Sequence, residues 1–317
     1  MNFEIDEQQR DFASSIDAAL SAADVPAAVR AWAAGDTAAG RKVWAQLADL
    51  GVTALLVPEK YDGIDADPVD LVVALERLGY WAVPGPVTES IAVAPILLAD
   101  DERAAALAAG ELIATVALPP SVPRAVNADV AGLTLLAADG QVSDASAGAA
   151  HDSVDPTRKL FDVTASGAVR PADTARAYEF GVLATAAQLV GAGQAMLDQS
   201  VEYAKQRTQF GRIIGSYQAL KHKLADVHIA VELARPLVYG AALALAEGSP
   251  DTARDISAAK VAAADAALLA ARNSLQTHGA IGFTQEHDLS LLLLRVQALR
   301  SAWGDPTLHR RRLLEAL

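Results

Sequence analysis

The pattern of apolar positions at the start of the chain predicts an amphipathic helix. Asp6 and Gln9 stand three residues apart, as in the capping box that begins many helices. Apolar side chains then recur at every fourth position, which places them on one helical face: Phe12, Ile16 and Leu20. We therefore expect an opening helix with one buried face.

Four more helical segments are expected before residue 112. One contains Trp44 and ends at Gly51, and the next begins at Asp67, with Gly79 expected as its stop. Two shorter segments complete this part of the chain: 89–98 and 101–109. Together they predict an N-terminal helical domain over residues 1–111.

The pattern changes between Leu112 and Val169, where short apolar runs are bounded by Pro, Asp and Gly. These runs predict the strands of a modest sheet: 113–118, 133–136 and 160–164. A small middle β domain is therefore expected over residues 112–172.

From Asp173 onward the β signals vanish and alanine-rich helical patterns replace them. The first predicted helix has an apolar stripe from Phe180 to Ala204 and measures about 45 Å if about thirty residues are helical. Three more helices are predicted: one capped by Ser216 and kinked at Pro236, one from near Asp251 to Gly279, and one from Leu289 to Trp303. We expect a C-terminal four-helix bundle over residues 173–317.

Composition and charge narrow the functional classes. Of the 317 residues, 52% are hydrophobic and 21% are charged, which is typical of globular proteins. A formal net charge of -13 gives no electrostatic reason to bind nucleic acid or an anionic membrane surface. The chain has no cysteine, so disulfides, thiolate metal sites and cysteine nucleophiles are excluded. Redox chemistry would therefore require a bound organic cofactor.

The first residues and the apolar runs predict a cytoplasmic protein. Residues 1–6 are acidic where a signal peptide is basic. The longest uninterrupted apolar runs are far shorter than the roughly 18 residues that a membrane-spanning helix needs: 91–99 and 291–294. We therefore expect no membrane partner.

Two segments place polar side chains and glycines at the ends of bundle helices, and the first covers residues 207–218. A helix stop at Gly211 would explain its glycines, but not the presence of Arg207, Phe210 and Gln218 together. An arginine beside an aromatic ring can hold a phosphate through two hydrogen bonds while the ring covers an adenine. This segment is therefore a candidate binding site.

The second segment covers residues 276–283. A glycine cap followed by a turn explains it structurally, yet Gly279 and Ala280 would also let another molecule approach the backbone closely. No histidine pair has metal-ligand spacing on one helical face, and the chain contains neither a glycine-rich phosphate loop nor a nucleophile elbow. We therefore expect no metal site.

Both segments resemble motifs of one family. The pattern Arg207-x-x-Phe210-Gly211-x-x-Ile214-x-x-x-Gln218 is similar to the RxxFGxxIxxxQ motif of acyl-CoA dehydrogenases. Residues 276–287 resemble a second motif of that family, and residues 3–10 and 57–63 resemble its opening segments. The resemblance spans nearly the whole chain and is weakest in the middle.

This resemblance implies a mainly α fold, with an N-terminal helical domain, a short middle β domain and a C-terminal four-helix bundle. It also implies FAD bound across a subunit interface. The residues that would contact the phosphate and adenine end of FAD are Arg207, Thr208, Gln209, Phe210, Tyr217 and Gln218. Residues 276–280, of which Gln276, Gly279 and Ala280 are the main candidates, would contact the pyrophosphate region.

The chain departs from the family where the catalytic base is expected. In the family, a glutamate removes the α-proton of an acyl thioester while hydride leaves the β-carbon. Gly304 occupies the usual glutamate position after the last bundle helix, and Asp305 lies one residue out of register. Gly181 occupies the alternative position, and Glu179 lies about 200° around that helix. Residues 112–169 also lack the family's Thr-Glu-Pro-x-x-Gly-Ser-Asp loop.

Retained FAD-tail motifs beside a missing base favour the second subunit of a heterotetramer, as in some actinobacterial acyl-CoA dehydrogenases that act on steroid side chains. A full-length homologue with the catalytic glutamate would be the partner in an α2β2 assembly and would hold most of the acyl-CoA. Two alternatives stay open. One is a complete homo-oligomeric dehydrogenase with Asp305 or Glu179 as base, and the other is a helical scaffold that binds neither flavin nor thioester.

Overall fold

Short helices build the first third of the chain. The computed structural model describes residues 5–316, so Phe3 and Glu4 of the opening segment lie outside the described residues. The helices are α1 (Glu7–Ala22), α2 (Val25–Ala33), α3 (Ala38–Asp49), α4 (Pro68–Tyr80), α5 (Ala94–Leu97) and α6 (Ala104–Ala108), and a π-helical turn (Thr88–Val93) precedes α5. The predicted capping box is confirmed: the Gln9 N–H donates to Asp6 Oδ1 (2.8 Å), and the Asp6 N–H donates to Gln9 Oε1 (3.1 Å).

A six-stranded sheet follows the short helices. Its strands are β1 (Ala114–Ala117), β2 (Ala125–Val126), β3 (Leu133–Ala138), β4 (Gln141–His151), β5 (Leu160–Ala165) and β6 (Arg170–Pro171). They lie in the order β1-β3-β4-β5-β2, and β6 pairs with β4. Only the β1–β3 pair is parallel. The three predicted strands are confirmed, whereas β2, β4 and β6 were not predicted.

Long helices build the rest of the chain. They are α7 (Thr174–Gln206), α8 (Gln218–Ala246), α9 (Thr252–His278), α10 (Leu289–Ser301) and α11 (Pro306–Glu315), and a hairpin of β7 (Thr208–Gln209) and β8 (Arg212–Ile213) joins α7 to α8. The α7 helix has 33 residues and is therefore about 50 Å long. The mainly α fold with a small middle sheet, predicted from the sequence, is confirmed.

Three details of the C-terminal prediction are wrong. The β signals do not end at Asp173, because the β7–β8 hairpin follows α7. Ser216 does not cap α8, since its hydroxyl donates to the Ile213 carbonyl (2.7 Å) and α8 begins at Gln218 without a side-chain cap. The helix predicted to end at Trp303 ends at Ser301, and the four predicted helices are followed by a fifth, α11, which Asp305 caps.

The α4 helix packs against α7 through two glycines. The prediction that Gly79 ends α4 is wrong, because the helix continues to Tyr80. A Cβ at Gly79 would lie 2.2 Å from the carbonyl oxygen of Gln188 in α7, and a Cβ at Gly191 would lie 1.9 Å from the carbonyl oxygen of Glu76 in α4. The absence of side chains at these positions therefore lets the two backbones touch and fixes the N-terminal helices on the bundle.

Two helices are long and apolar enough to cross a membrane by length and composition alone: Thr174–Gln206 and Gln218–Ala246. The expectation from uninterrupted apolar runs missed them, because occasional polar residues break each run. In the most apolar window of the first helix 94% of the residues are buried inside the protein, against 44% in the second. Core packing therefore accounts for the apolar character of α7.

We predict that Gly191→Ala lowers the free energy of unfolding by at least about 2 kcal/mol, because the new methyl group would meet backbone atoms that cannot move independently. Urea unfolding followed by circular dichroism measures this change. The matched control is Gly193→Ala in the same helix. Its methyl group would meet a Val231 methyl at 3.2 Å, which needs to move by only a few tenths of an ångström, so the expected change is below about 1 kcal/mol. Equal losses in the two variants would contradict the packing account.

Candidate functional site

The first candidate segment forms the hairpin between α7 and α8. Phe210 and Gly211 make its two-residue turn with φ angles of 53° and 78°, as in the type I′ turns that suit β-hairpins. The Ile214 N–H donates to the Arg207 carbonyl (2.8 Å) and closes the hairpin at its base. Phe210 is 92% exposed at the tip. The fold therefore makes no use of this ring.

The hairpin, the start of α8 and the end of α9 enclose a cleft of about 570 Å³. Seven of the nine residues predicted from the two motifs line it: Arg207, Gln209, Phe210, Tyr217, Gln276, Gly279 and Ala280. The other two, Thr208 and Gln218, are exposed beside the cleft rather than in its walls. The structure thus brings together two motifs that are far apart in the sequence.

The cleft offers cationic and aromatic groups. The Arg212 guanidinium lies 3.9 Å from the centre of the Tyr217 ring, and the Tyr217 hydroxyl donates to the Gln209 carbonyl (3.4 Å). Among residues 5–316, no carboxylate lies within ion-pairing distance of Arg207, so its guanidinium is available to an anion. No group of three or more His, Asp and Glu side chains converges in the same described range.

His278, which lies within the predicted stretch 276–280 but was not singled out there, also lines the cleft. It is 4% exposed, and its ring stacks on Tyr203 with centroids 4.4 Å apart. Its Nδ1–H donates to the Ser274 carbonyl (2.8 Å), which leaves Nε2 as a buried acceptor without a hydrogen-bond partner in the described chain. Burial lowers the pKa of His278, so the ring is neutral at pH 7.

These groups fit the phosphate and adenine end of a dinucleotide. A guanidinium can bind phosphate oxygens, and an exposed ring can cover a base. Gly279 has a φ of 62° and nothing within 4 Å of where a Cβ would stand, so its backbone is open to close approach. The second motif contains His278, and a search of that motif for polar groups could have found it.

Gly181 and Gly304, the two positions where the resemblance leads us to expect a glutamate, both adjoin Trp303. The indole is 1% exposed and lies directly over Gly181 of α7, where a Cβ would stand 2.3 Å from the ring. The indole N–H donates to Glu89 Oε1 (3.1 Å), which fixes the ring in this place. No side chain larger than a hydrogen atom fits at Gly181 while the indole is there.

Gly304 is equally constrained. Its φ of 96° is strained for any residue with a side chain, and a Cβ there would lie 2.6 Å from His309 Nε2. His309 Nε2–H donates to the Trp303 carbonyl (3.0 Å), and the Tyr178 hydroxyl donates to the same oxygen (3.2 Å). These contacts close the turn around Gly304.

The two nearby carboxylates have partners of their own. Asp305 Oδ1 accepts the Leu308 N–H (2.8 Å) as the N-cap of α11. Glu179 is ion-paired with Arg312 of α11, and burial raises the pKa of this glutamate. Both side chains therefore help to fix α11, one at its first turn and one at its last.

We predict that His309 makes stability fall as the pH drops below 6.5. Its Nδ1 accepts a hydrogen bond from the Ser257 hydroxyl, which requires the neutral ring, and burial lowers the pKa of His309 to about 4. Between pH 6.5 and pH 4 the unfolded chain binds a proton that the folded chain does not. Folding stability should therefore decrease by about 2 kcal/mol between pH 7 and pH 5 through this residue.

Urea unfolding of the wild type and of His309→Gln at pH 7 and pH 5 measures this contribution. Glutamine can keep a hydrogen bond to the Trp303 carbonyl but does not titrate, so the variant should lose about 2 kcal/mol less than the wild type. An identical loss in the two proteins would show that His309 is not the titrating group.

Comparison with known families identifies both helical parts of the chain. Residues 6–103 match the acyl-CoA dehydrogenase N-terminal domain, and residues 175–317 match the acyl-CoA dehydrogenase C-terminal domain. All six strands of the middle sheet lie between these two matches. Both candidate motifs and both glutamate positions fall within the second match.

Two similar proteins cover nearly the same length as this chain. The acyl-CoA dehydrogenase IpdE2 of Mycobacterium tuberculosis is 32% identical over 295 residues, which are 91% of this chain and 90% of that protein. The IpdE2 of Mycolicibacterium smegmatis is 33% identical over 294 residues, which are 91% of this chain and 92% of that protein.

Solved structures share the fold at lower identity. The ChsE4-ChsE5 complex from Mycobacterium tuberculosis contains a chain with a TM-score of 0.84 and 22% identity, covering 99% of this chain and 98% of that one. A Tcur3481-Tcur3483 steroid ACAD variant has a TM-score of 0.85 and 20% identity, and the match covers 98% of this chain and 97% of that one. The structure of PigA with FAD and proline has a TM-score of 0.85 and 17% identity, and the match covers 100% of this chain and 99% of that one.

These comparisons agree with the architecture described above. Both family domains are matched, and relatives above 30% identity align over nine-tenths of the chain. The order of helices, small sheet and long helices is that of the similar solved structures. This chain belongs to the acyl-CoA dehydrogenase family.

Proposed function

We propose that this chain is one subunit of a heteromeric, FAD-dependent acyl-CoA dehydrogenase, and that it completes the FAD site of its partner without supplying the catalytic base. One observation carries the proposal. The cleft lined by the two family motifs is open, whereas Trp303 fills the space over Gly181 and His309 blocks a side chain at Gly304. We infer that the chain keeps a site for the tail of FAD but has no room for a glutamate at Gly181 or Gly304.

Dehydrogenation of an acyl thioester removes a proton from the α-carbon and a hydride from the β-carbon. Bound FAD accepts the hydride, and a carboxylate must accept the proton. Gly181 and Gly304 provide none, Asp305 caps α11, and Glu179 is ion-paired with Arg312. The proton acceptor therefore comes from the partner, which we propose to be a full-length homologue that carries the family's glutamate.

The cleft lined by the motifs would hold the tail of FAD. Arg207 would bind phosphate oxygens, and Phe210 with Tyr217 would offer rings to the adenine. The exposed backbone at Gly279 and Ala280, with the side chain of Gln276, would contact the pyrophosphate region. Thr208, Gln209 and Gln218 would complete the site from the hairpin and the first turn of α8. These groups bind and orient the cofactor and do not react.

Exposed apolar side chains support a subunit interface. Phe210 and Phe283 are 92% and 76% exposed, at the two motif segments. Ile229, Leu233 and Leu237 form an exposed stripe at every fourth residue of α8. Apolar groups clustered in this way mark protein–protein contacts. FAD shared between two chains would use the first group, and assembly into an α2β2 tetramer would use the second.

The names of the structural relatives suggest the substrate class. The ChsE4-ChsE5 and Tcur3481-Tcur3483 structures are complexes of two proteins, and the second is described as a steroid ACAD. We propose that the substrate here is likewise an acyl-CoA with a bulky or steroid-derived acyl group, bound mainly by the partner. We also propose a cytoplasmic location and domain boundaries at residues 1–111, 112–172 and 173–317.

Arg207→Ala should weaken FAD retention in the co-expressed complex at least tenfold, because a charge-assisted hydrogen bond to phosphate is lost. Flavin absorbance per protein during dilution and dialysis measures retention. Lys205→Ala is the matched control, since Lys205 lies two residues earlier, pairs with Glu202 (2.6 Å) and does not line the cleft. Flavin retention unchanged by Arg207→Ala would count against the assignment.

Asp305→Asn should leave turnover of the complex within twofold of the wild type, because asparagine keeps the helix cap and only the carboxylate is lost. Asp305→Ala should reduce stability by about 1 kcal/mol through loss of the cap, again without loss of turnover. Steady-state assays and urea unfolding check both. Abolished turnover in the asparagine variant would identify Asp305 as the base and support a complete homo-oligomeric enzyme.

A further inference from the structure

The loop of residues 279–288, which joins α9 to α10, is held by a side chain from the start of the protein. Arg30 lies in α2, and its Nη2 donates to the carbonyl oxygens of Gln285 (3.3 Å) and Glu286 (3.2 Å). Its Nη1 pairs with Asp288 Oδ1 (2.7 Å). Among the described residues, every hydrogen bond and ion pair of this guanidinium goes to the loop. Arg30 therefore ties the N-terminal helices to the α9–α10 loop.

The α2 helix is packed firmly enough to serve as an anchor. Its buried face consists of Val25, Ala28, Val29 and Trp32. Gly40 of α3 lies directly against the Trp32 ring, since a Cβ at Gly40 would stand 2.3 Å from it. Arg30 follows this buried face and is itself only partly exposed. Because its own helix is fixed, the arginine can fix the loop that it contacts.

The part of the loop that Arg30 holds reaches the cleft of the two motifs through two histidines. His287 lies between the residues bound by Arg30, and its ring stands edge-on to the His278 ring, with centroids 4.8 Å apart. His287 Nδ1 also accepts the Leu289 N–H (3.1 Å) at the start of α10. The His278 ring stacks on Tyr203, and both of these rings line the cleft. A continuous row of contacts thus runs from α2 to the cleft wall.

The backbone that we assign to the pyrophosphate region belongs to the same loop. Gly279 and Ala280 line the cleft and begin the 3₁₀ turn Gly279–Phe283. Gly282 in that turn is buried, and a Cβ there would lie 3.1 Å from the Cβ of His278. His278 therefore supports the first half of the loop through Gly282 and the second half through His287.

We propose that Arg30 is a positioning residue for the tail of FAD, because it holds the α9–α10 loop and, through His287 and His278, the wall of the cleft. The inference rests on the proposed function, since it takes the cleft to be the site of the FAD tail. Groups that are already fixed before a ligand binds lose less conformational entropy on binding, so a looser loop lowers the affinity. An exposed ion pair adds little to global stability, so its loss leaves the chain folded.

Hydrogen–deuterium exchange of the chain alone tests the positioning step without FAD. In Arg30→Ala, peptides from residues 279–290 should exchange about threefold faster, because the loop opens more often without its anchor, while peptides from the sheet keep the wild-type rate. Arg41→Ala is the matched control, since Arg41 of α3 donates to the Val130 carbonyl (2.8 Å) outside this loop. It should leave exchange in the loop unchanged. Wild-type exchange in Arg30→Ala would overturn the proposal.

Flavin retention in the co-expressed complex tests the effect on the cofactor. Arg30→Ala should raise the rate of flavin loss about threefold, and Arg41→Ala should match the wild type. Arg30→Lys should restore most of the retention, because the ammonium keeps the ion pair with Asp288. The visible spectrum of the flavin that stays bound should be the same in all variants, because the loop contacts the tail and not the ring. Faster exchange in the loop without faster flavin loss would contradict the role of Arg30.

Arg207→Ala in the same retention assay separates this inference from the proposed function. Rapid flavin loss in Arg207→Ala beside wild-type retention in Arg30→Ala would overturn the role of Arg30 and leave the FAD site standing. Wild-type retention in both variants would overturn the FAD site and, with it, the role of Arg30.

Discussion

The indole of Trp303 packs against the backbone of α7 at Gly181, and the packing of this end of the bundle depends on that contact. Glu89 accepts the indole N–H, and His309 and Tyr178 both donate to the Trp303 carbonyl. Because the indole takes the room that a side chain at Gly181 would need, only glycine fits there, whereas Gly304 is constrained by its φ of 96° and by His309 Nε2. The turn at Trp303 and Gly304 leads directly into α11, so the contacts that close this turn also hold α11 on the bundle.

The two ends of the bundle differ in how their polar groups are used. Near Trp303, glycine, tryptophan, histidine and two carboxylates bind each other or cap a helix. At the hairpin, the Arg207 guanidinium, which has no ion-pair partner among the described residues, and the exposed Phe210 ring line an open cleft. A guanidinium that the fold leaves exposed and unpaired beside an aromatic ring is free to bind an anion. This contrast is the physical basis for assigning the chain a cofactor-binding role without a proton-transfer role.

The sequence predicted those helices and strands whose signals lie within a few neighbouring residues, such as a cap or an apolar pattern. The Asp6 capping box, the apolar strands of the sheet and the long stripe of α7 all formed as expected. β4 was missed because its Ala, Ser and Gly residues are mostly exposed and show no alternating apolar pattern. Gly79 was misread as a stop, because its role is a close contact with a helix more than a hundred residues later.

The candidate site, like the fold, was predicted where it depends on local motifs and missed where it depends on long-range contacts. The resemblance to the two family motifs named seven of the fourteen residues that line the cleft, since each motif lies at a helix end that the chain pattern also predicts. The unpartnered Nε2 of His278 depends on its hydrogen bond to Ser274 and its stacking on Tyr203, which only the folded chain defines. The position of Trp303 over Gly181 is likewise a long-range contact with no local signature.

Flavin stoichiometry tests the central claim most directly. The chain is purified alone and after co-expression with a full-length homologue, and bound flavin and acyl-CoA turnover are measured for both. The account predicts a colourless, inactive chain alone and an active complex with one flavin for each pair of this chain and its partner. One flavin per chain together with turnover in the isolated protein would contradict it.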